Sequence, residues 1–239
     1  MPPDELWVEH LGLMPYADAL DYQRAVARAR ISGEIAQDVL LLVEHPPVVT
    51  LGRGSKERHL LASPELLASR GIELFEVERG GDVTFHGPGQ LVGYPIIDLK
   101  RHRRDLHWYL RTLEASLIDA LAEFGIAAER NVGFTGVWTQ GAGRKIASIG
   151  VHARDWVTWH GFALNVSTDL SYFDVMVPCG IEAVTMTSIA RELSGNTPEM
   201  SRVEYAAIAA LASAFALMPR EVGRLLDDSR VTAEGRAAR

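Results

Sequence analysis

Six apolar residues between Leu106 and Phe124 recur at steps of three and four, while the stretches on either side carry the pattern of strands. Leu106, Leu110, Leu113, Leu117, Leu121 and Phe124 line one face of a helix. Asp105 is placed to cap its start, and Gly125 to end it in the left-handed conformation. After it, residues 136–139, 144–153 and 157–166 read as strands joined by turns at 141–143 and 154–156. Before it, 39–43 is a continuous apolar run suited to a buried strand, stopped by His45-Pro46-Pro47. Further strands are expected at 48–51, 72–77, 83–86 and 90–99. Helices are expected at 18–30, from Ser63-Pro64 to Gly71, at 187–193 and at 203–217. Strands and helices do not alternate regularly, which disfavours a doubly wound parallel sheet. The fold class expected is α+β, with a mixed or antiparallel sheet and flanking helices. One domain over 1–219 accounts for this pattern, and the charged stretch 220–239 is expected to be a fraying tail.

A chain of 239 residues can bury a full core without staples, and its single cysteine rules out an internal disulfide. A free thiol persists most safely in a reducing compartment. The start, Met1-Pro2-Pro3-Asp4-Glu5, has neither a basic nor an apolar leader pattern, and the apolar runs are too short to span a bilayer. A cytoplasmic protein with no membrane partner is therefore expected. The formal net charge of −7 argues against general nucleic-acid binding. One compact basic run stands out, Lys100-Arg101-His102-Arg103-Arg104. It reads either as a solvated loop or as a docking patch for an acidic partner.

Cys179 lies in Val177-Pro178-Cys179-Gly180. A lone cysteine is usually a small buried hydrophobe, but Pro178 fixes its approach and Gly180 removes bulk beside the sulfur. Thiol chemistry needs a partner that favours the thiolate or takes its proton. Lys145 is one candidate, and His86 and His160 are rival bases. Asn165 would allow a Cys-His-Asn arrangement. The glycine-dense stretch 79–93 suggests backbone lying against a ligand. It lacks the Gly-Lys-Ser/Thr ending of a phosphate loop and the Rossmann glycine spacing. With no second cysteine and no paired histidine motif, no metal site is expected.

Taken in order, several segments resemble the lipoyl(octanoyl) transferase family. They are Glu44-His45-Pro46-Pro47 with Thr50-Leu51-Gly52-Arg53, the stretch from Arg79 to Gln90 with Leu91-Val92-Gly93-Tyr94-Pro95, 144–150, His160-Gly161-Phe162-Ala163-Leu164-Asn165, Asp169-Leu170 with Phe173, and Pro178-Cys179-Gly180. The resemblance implies the catalytic fold shared by biotin and lipoate protein ligases. It implies Cys179 as the acyl-thioester nucleophile and Lys145 as its acid/base partner. It implies substrate binding by Arg79, Gly80, Gly81, Asp82, Val83, Thr84, Phe85 and His86, by Ser148, Ile149 and Gly150, and by Gly161, Phe162 and Ala163. No cofactor is implied, because the octanoyl group arrives on the phosphopantetheine of acyl carrier protein. The implied acceptors are lysines of lipoyl domains, in the E2 subunits of 2-oxoacid dehydrogenases and in glycine cleavage H protein. Three alternatives remain: an ATP-dependent ligase on the same fold, a non-enzymatic acyl-binding module, and a thioesterase that passes the acyl group to water.

Overall fold

The computed structural model describes residues 4–181, 184–227 and 230–231. In chain order its strands are β1 (Glu5–Leu13), β2 (Asp38–Glu44), β3 (Val48–Leu51), β4 (Glu73–Glu76), β5 (Val83–His86), β6 (Gln90–Ile96), β7 (Ala128–Asn131), β8 (Phe134–Thr139), β9 (Lys145–Arg154), β10 (Val157–Asn165) and β11 (Met218–Glu221). The helices are α1 (Tyr16–Ser32), α2 (Pro64–Ser69), α3 (Leu106–Ala122), α4 (Ile189–Glu192) and α5 (Met200–Ala214). Eight strands form one sheet in the order β11-β1-β2-β6-β10-β9-β8-β7, and β4-β3-β5 form a second, smaller sheet. The large sheet is mixed. β1 runs parallel to both β2 and β11, and every pair from β2 through β6, β10, β9 and β8 to β7 is antiparallel.

The apolar run at 39–43 is explained by its place in this sheet. Side chains alternate across a strand, so Leu40 and Leu42 join the core under α3 and α5, with Leu113, Leu117, Leu121 and Leu211. Val39, Leu41 and Val43 join the core under α1, with Tyr22, Ala25 and Val26. Both faces are covered, so no polar alternation is needed, and each such side chain contributes about 2 kcal/mol by leaving water. α3 is capped as expected: the Asp105 carboxylate accepts from Trp108 N at 3.0 Å, and Gly125 has φ +73°.

Several boundaries move. The helix expected at 187–193 shrinks to α4, and the one expected at 203–217 is α5, because the chain leaves it to form β11. β11 crosses the boundary set at 219 and Leu226 is buried, so part of the expected tail packs on the domain. Residues 228–229 and 232–239 of that tail lie outside the described residues. β1 carried no apolar alternation to announce it. Its Glu9 is 3% exposed and accepts from the Tyr22 hydroxyl at 2.7 and 2.9 Å, a polar contact made inside the core. No helix among the described residues is long and apolar enough to cross a membrane.

Candidate active site

Lys145 opens β9, and Cys179 sits on the tight turn Pro178–Gly180 that passes over it. Lys145 is fully buried, and its Nζ donates to Cys179 Sγ at 2.9 Å and to Thr135 O at 3.4 Å. The ammonium position also lies 4.9 Å from the Trp138 ring centroid. Ser148 Oγ stands 3.7 Å from the same sulfur. The turn is strained: Cys179 adopts φ +55°, which a side chain rarely tolerates, and Gly180 follows at φ +65°. A Cβ on Gly180 would collide with the Asp82 carboxylate and approach the His59 ring to 2.9 Å. Gly180 therefore lets the nucleophile turn press against a His59–Asp82 pair, whose Nδ1 and Oδ2 are 2.5 Å apart. The Gly180 N–H is already committed to Val177 O at 2.9 Å, which removes it as a free donor for an oxyanion.

A pocket runs inward from the sulfur. Arg79, Gly81, Asp82, Thr84 and His86 line one wall, and Ser148, Ile149 and Gly150 line another. Gly161, Phe162 and Ala163 complete it. Three expected residues stand elsewhere. Val83 and Phe85 alternate with Thr84 and His86 along β5 and face the core of the small sheet, where Phe85 stacks on Tyr172 at 4.5 Å. Gly80 is held against β9 through its N–H to Val151 O at 2.8 Å. Much of the glycine density serves backbone contact instead of ligand contact. A Cβ on Gly150 would come within 2.7 Å of Gly80 O, and one on Gly89 within 2.9 Å of the Ser167 backbone. Tyr16, Tyr94, Phe134 and Thr135 also line the pocket, and His59 braces it; of these only Tyr94 stood in a segment that the sequence singled out.

Among the described residues neither rival base is hydrogen-bonded to Cys179, whose side-chain partners are Lys145 and Ser148. His86 Nδ1 meets Gln90 Oε1 at 2.8 Å, and Gln90 Nε2 donates to Asn165 Oδ1 at 2.9 Å, so Asn165 belongs to that network and not to a cysteine triad. His160 has φ +56° within β10, and its N–H bonds to Gln23 Oε1 at 2.8 Å instead of the neighbouring strand. Its Nε2 lies 3.7 Å from Glu78 Oε1, within ion-pair reach but beyond a hydrogen bond. Burial would raise the Glu78 carboxyl, but His160, Arg24 and Trp159 together hold it well below the usual range. Arg79, also buried, gives its guanidinium to Thr50 O at 2.7 Å and Thr50 Oγ1 at 2.9 Å.

Burial keeps the rings around the inner pocket neutral. It pushes the His86 ring down to about 3 and the neighbouring His45 to about 4, lowers His160, and pushes the Tyr16 hydroxyl up to about 12. Val92, Ile149, Phe162 and Ala163 line the pocket beside these rings and suit an uncharged chain, while Arg79 and Asp82 line it as well. A pH dependence follows. An unfolded histidine binds a proton near pH 6.5, whereas His45 and His86 resist until about 4 and about 3. Their contribution is complete above about pH 6.5 and is lost progressively as the pH falls through that window, because the unfolded chain binds more protons. Urea unfolding at pH 7 and pH 5 is expected to differ by roughly 2–4 kcal/mol, more at pH 7. Equal stability at the two values would mean that these rings protonate freely in the folded protein.

The basic run does not reach this site. Arg101 is tied to Asp4 at 2.5 Å and Ala36 O at 2.9 Å, Lys100 stands 3.6 Å from Asp98, and Arg103 stands 3.3 Å from Asp105. Asp98 bridges to Val157, which pairs with Arg154 at the far end of β9 from Lys145. At about 3.3 Å per residue that is roughly 30 Å along the strand.

Comparison with known proteins gives the chain its relatives. Residues 15–212 match the model of the lipoyl protein ligase A/B catalytic domain. An octanoyltransferase of Chloroflexus aggregans is 49% identical over 215 residues, covering 90% of this chain and 96% of that one. An octanoyltransferase of Gloeobacter violaceus is 56% identical over 170 residues, covering 71% and 73%. Among solved structures, one from an archaeal lipoylation system of Thermoplasma acidophilum, a bipartite lipoate protein ligase and its E2 lipoyl domain, aligns with a TM-score of 0.77. It is 17% identical and covers 98% of this chain and 91% of that one. A lipoate-protein ligase A bound with ATP aligns with a TM-score of 0.76 at 17% identity, covering 98% and 93%. At such identities the likeness is one of fold.

Proposed function

The chain belongs to the family of the lipoyl protein ligase A/B catalytic domain and is an acyltransferase serving octanoyl transfer in protein lipoylation; from that premise we propose that the octanoyl group passes through a thioester on Cys179. The observation that carries this reading is the 2.9 Å contact between Lys145 Nζ and Cys179 Sγ at a pocket lined in part by aromatic rings and apolar side chains. One proton shared across that contact supplies both a thiolate and an acid.

The first half begins with the thiolate and the protonated amine. Cys179 Sγ attacks the thioester carbonyl of octanoyl-carrier protein. The donor's C–S bond breaks, and the departing pantetheine sulfur takes the proton from Lys145. This exchange of one thioester for another leaves the acyl group activated. In the second half the amine of a lipoyl-domain lysine attacks the Cys179 thioester and gives a proton to the now neutral Lys145. An amide forms, the C–S bond breaks, and the thiolate and protonated amine are restored. Neither half consumes a nucleotide or needs a cofactor. The acceptors are lipoyl domains of E2 subunits and of glycine cleavage H protein.

Mixing the protein with octanoyl-carrier protein, without ATP, is expected to add one octanoyl group, readable by intact mass and mapped to Cys179. Adding a lipoyl domain should discharge it onto one lysine. An octanoyl group appearing on the acceptor only when ATP is supplied would sink this reading in favour of a ligase. Discharge to octanoate at the same rate with or without acceptor would favour a thioesterase.

A further inference from the structure

Beside the nucleophile lies a second, shorter group of cations that the basic run at 100–104 overshadows in the sequence. Arg53, Lys56 and Arg58 are exposed, set against one carboxylate in the same segment, Glu57. None of the three forms an ion pair among the described residues; Arg58 Nε reaches only His59 Nε2, at 3.4 Å. The segment is stitched between the two parts of the site. Arg53 N donates to Arg79 O and Gly54 N to Gly81 O, each at 3.0 Å, which ties one end to the pocket wall. Val177 N donates to His59 O at 2.7 Å, which ties the other end two residues from Cys179. The His59–Asp82 pair holds that same end against Gly180.

We infer that the segment carrying Arg53, Lys56 and Arg58 is the docking surface for the acyl donor, a strongly acidic carrier protein whose pantetheine is joined through a phosphodiester. The inference rests on the proposed function. Unpaired surface cations on an otherwise acidic protein focus an attractive field on one entrance. Guanidinium groups suit phosphate and carboxylate oxygens. The donor brings anions on both its surface and its arm. The acceptor presents a lysine that is an ammonium before it reacts, so a cationic rim opposes it at the point of entry. In the distal run Lys100, Arg101, His102 and Arg103 pair with carboxylates, and the run lies too far along the strand to guide an arm to the sulfur.

The test is the double variant Arg53→Glu with Lys56→Glu, compared with Arg101→Glu with Arg104→Glu. The first is expected to raise KM for octanoyl-carrier protein about tenfold or more and to flatten its dependence on salt. Acylation by octanoyl-pantetheine, which has no acidic surface, and KM for the lipoyl domain should stay within twofold. The second double variant should leave the carrier-protein KM unchanged. An unchanged carrier-protein KM in the first variant, an equal loss with octanoyl-pantetheine, or a rise confined to the lipoyl domain would each overturn the assignment; the last would give the surface to the acceptor. Failure of the wild-type protein to form a Cys179 thioester from either donor would instead overturn the reading on which this one rests.

Discussion

Cys179→Ser is expected to lower octanoyl transfer by roughly a thousandfold or more while leaving the melting temperature unchanged. The serine oxygen occupies much the same space, and a single oxygen on Cβ adds no new strain at φ +55°. Its proton, however, is far harder to remove than a thiol's. The Lys145 amine, 2.9 Å from the sulfur, meets a group it cannot readily ionise. Any ester that did form would also be a poorer acyl donor to an amine than a thioester. Two measurements check the result: the transfer rate, and intact mass after incubation with octanoyl-carrier protein. Near-normal transfer by the serine variant would remove Cys179 from the mechanism. A large fall in melting temperature would show that the strained turn needs sulfur for packing.

Lys145→Ala is expected to slow acyl-enzyme formation by about a hundredfold or more, the usual scale for losing a positioned proton-transfer group. The truncation also leaves a hole, because Lys145 is fully buried against Trp138 and Gly136. Lys145→Met keeps the aliphatic stem and separates the two effects. Met should match Ala in lost activity and match wild type in stability. Lys145→Arg should also fail, for two reasons. A guanidinium stays protonated and cannot receive the proton the acceptor amine must shed. There is also little room for it: a Cβ on Gly136 alone would come within 2.9 Å of Lys145 Cε. Alkylation of Cys179 at neutral pH should slow in the Met variant, since the sulfur then lacks its donor. An active Arg variant would reduce Lys145 to a fixed charge and assign the proton transfer elsewhere.

Periodicity along the chain was enough to establish some of this before any fold was known. The leucine steps of α3 and the unbroken apolar run of β2 report local geometry and burial on both faces, which a strand or helix carries in its own residues. The cap at Asp105 and the stop at Gly125 are equally local. Cys179 and Lys145 were legible as a pair only by resemblance, since 34 positions separate them and nothing in their spacing says that they meet. β1 escaped notice because its Glu9 is paid for by Tyr22, a residue on another element. His59 carries no motif of its own, and only the fold sets it against Asp82 and Gly180.

The sequence alone left open which charges and which glycines matter. Five basic residues in a row look like a patch, yet in the fold four of them, Lys100, Arg101, His102 and Arg103, pair with Asp98, Asp4, Asp38 and Asp105. In the stretch 53–58, by contrast, Arg53, Lys56 and Arg58 form no ion pair among the described residues. Val83 and Phe85 stood within a motif whose alternate residues face the pocket, and strand pleating turned them away. Residue type, period and capping are properties of neighbours in the chain, so the sequence by itself determined the elements and the kinds of chemistry available. Distance, burial and charge pairing are properties of neighbours in space, so only the tertiary structure decided which thiol meets which amine and which of the described cations pair with carboxylates.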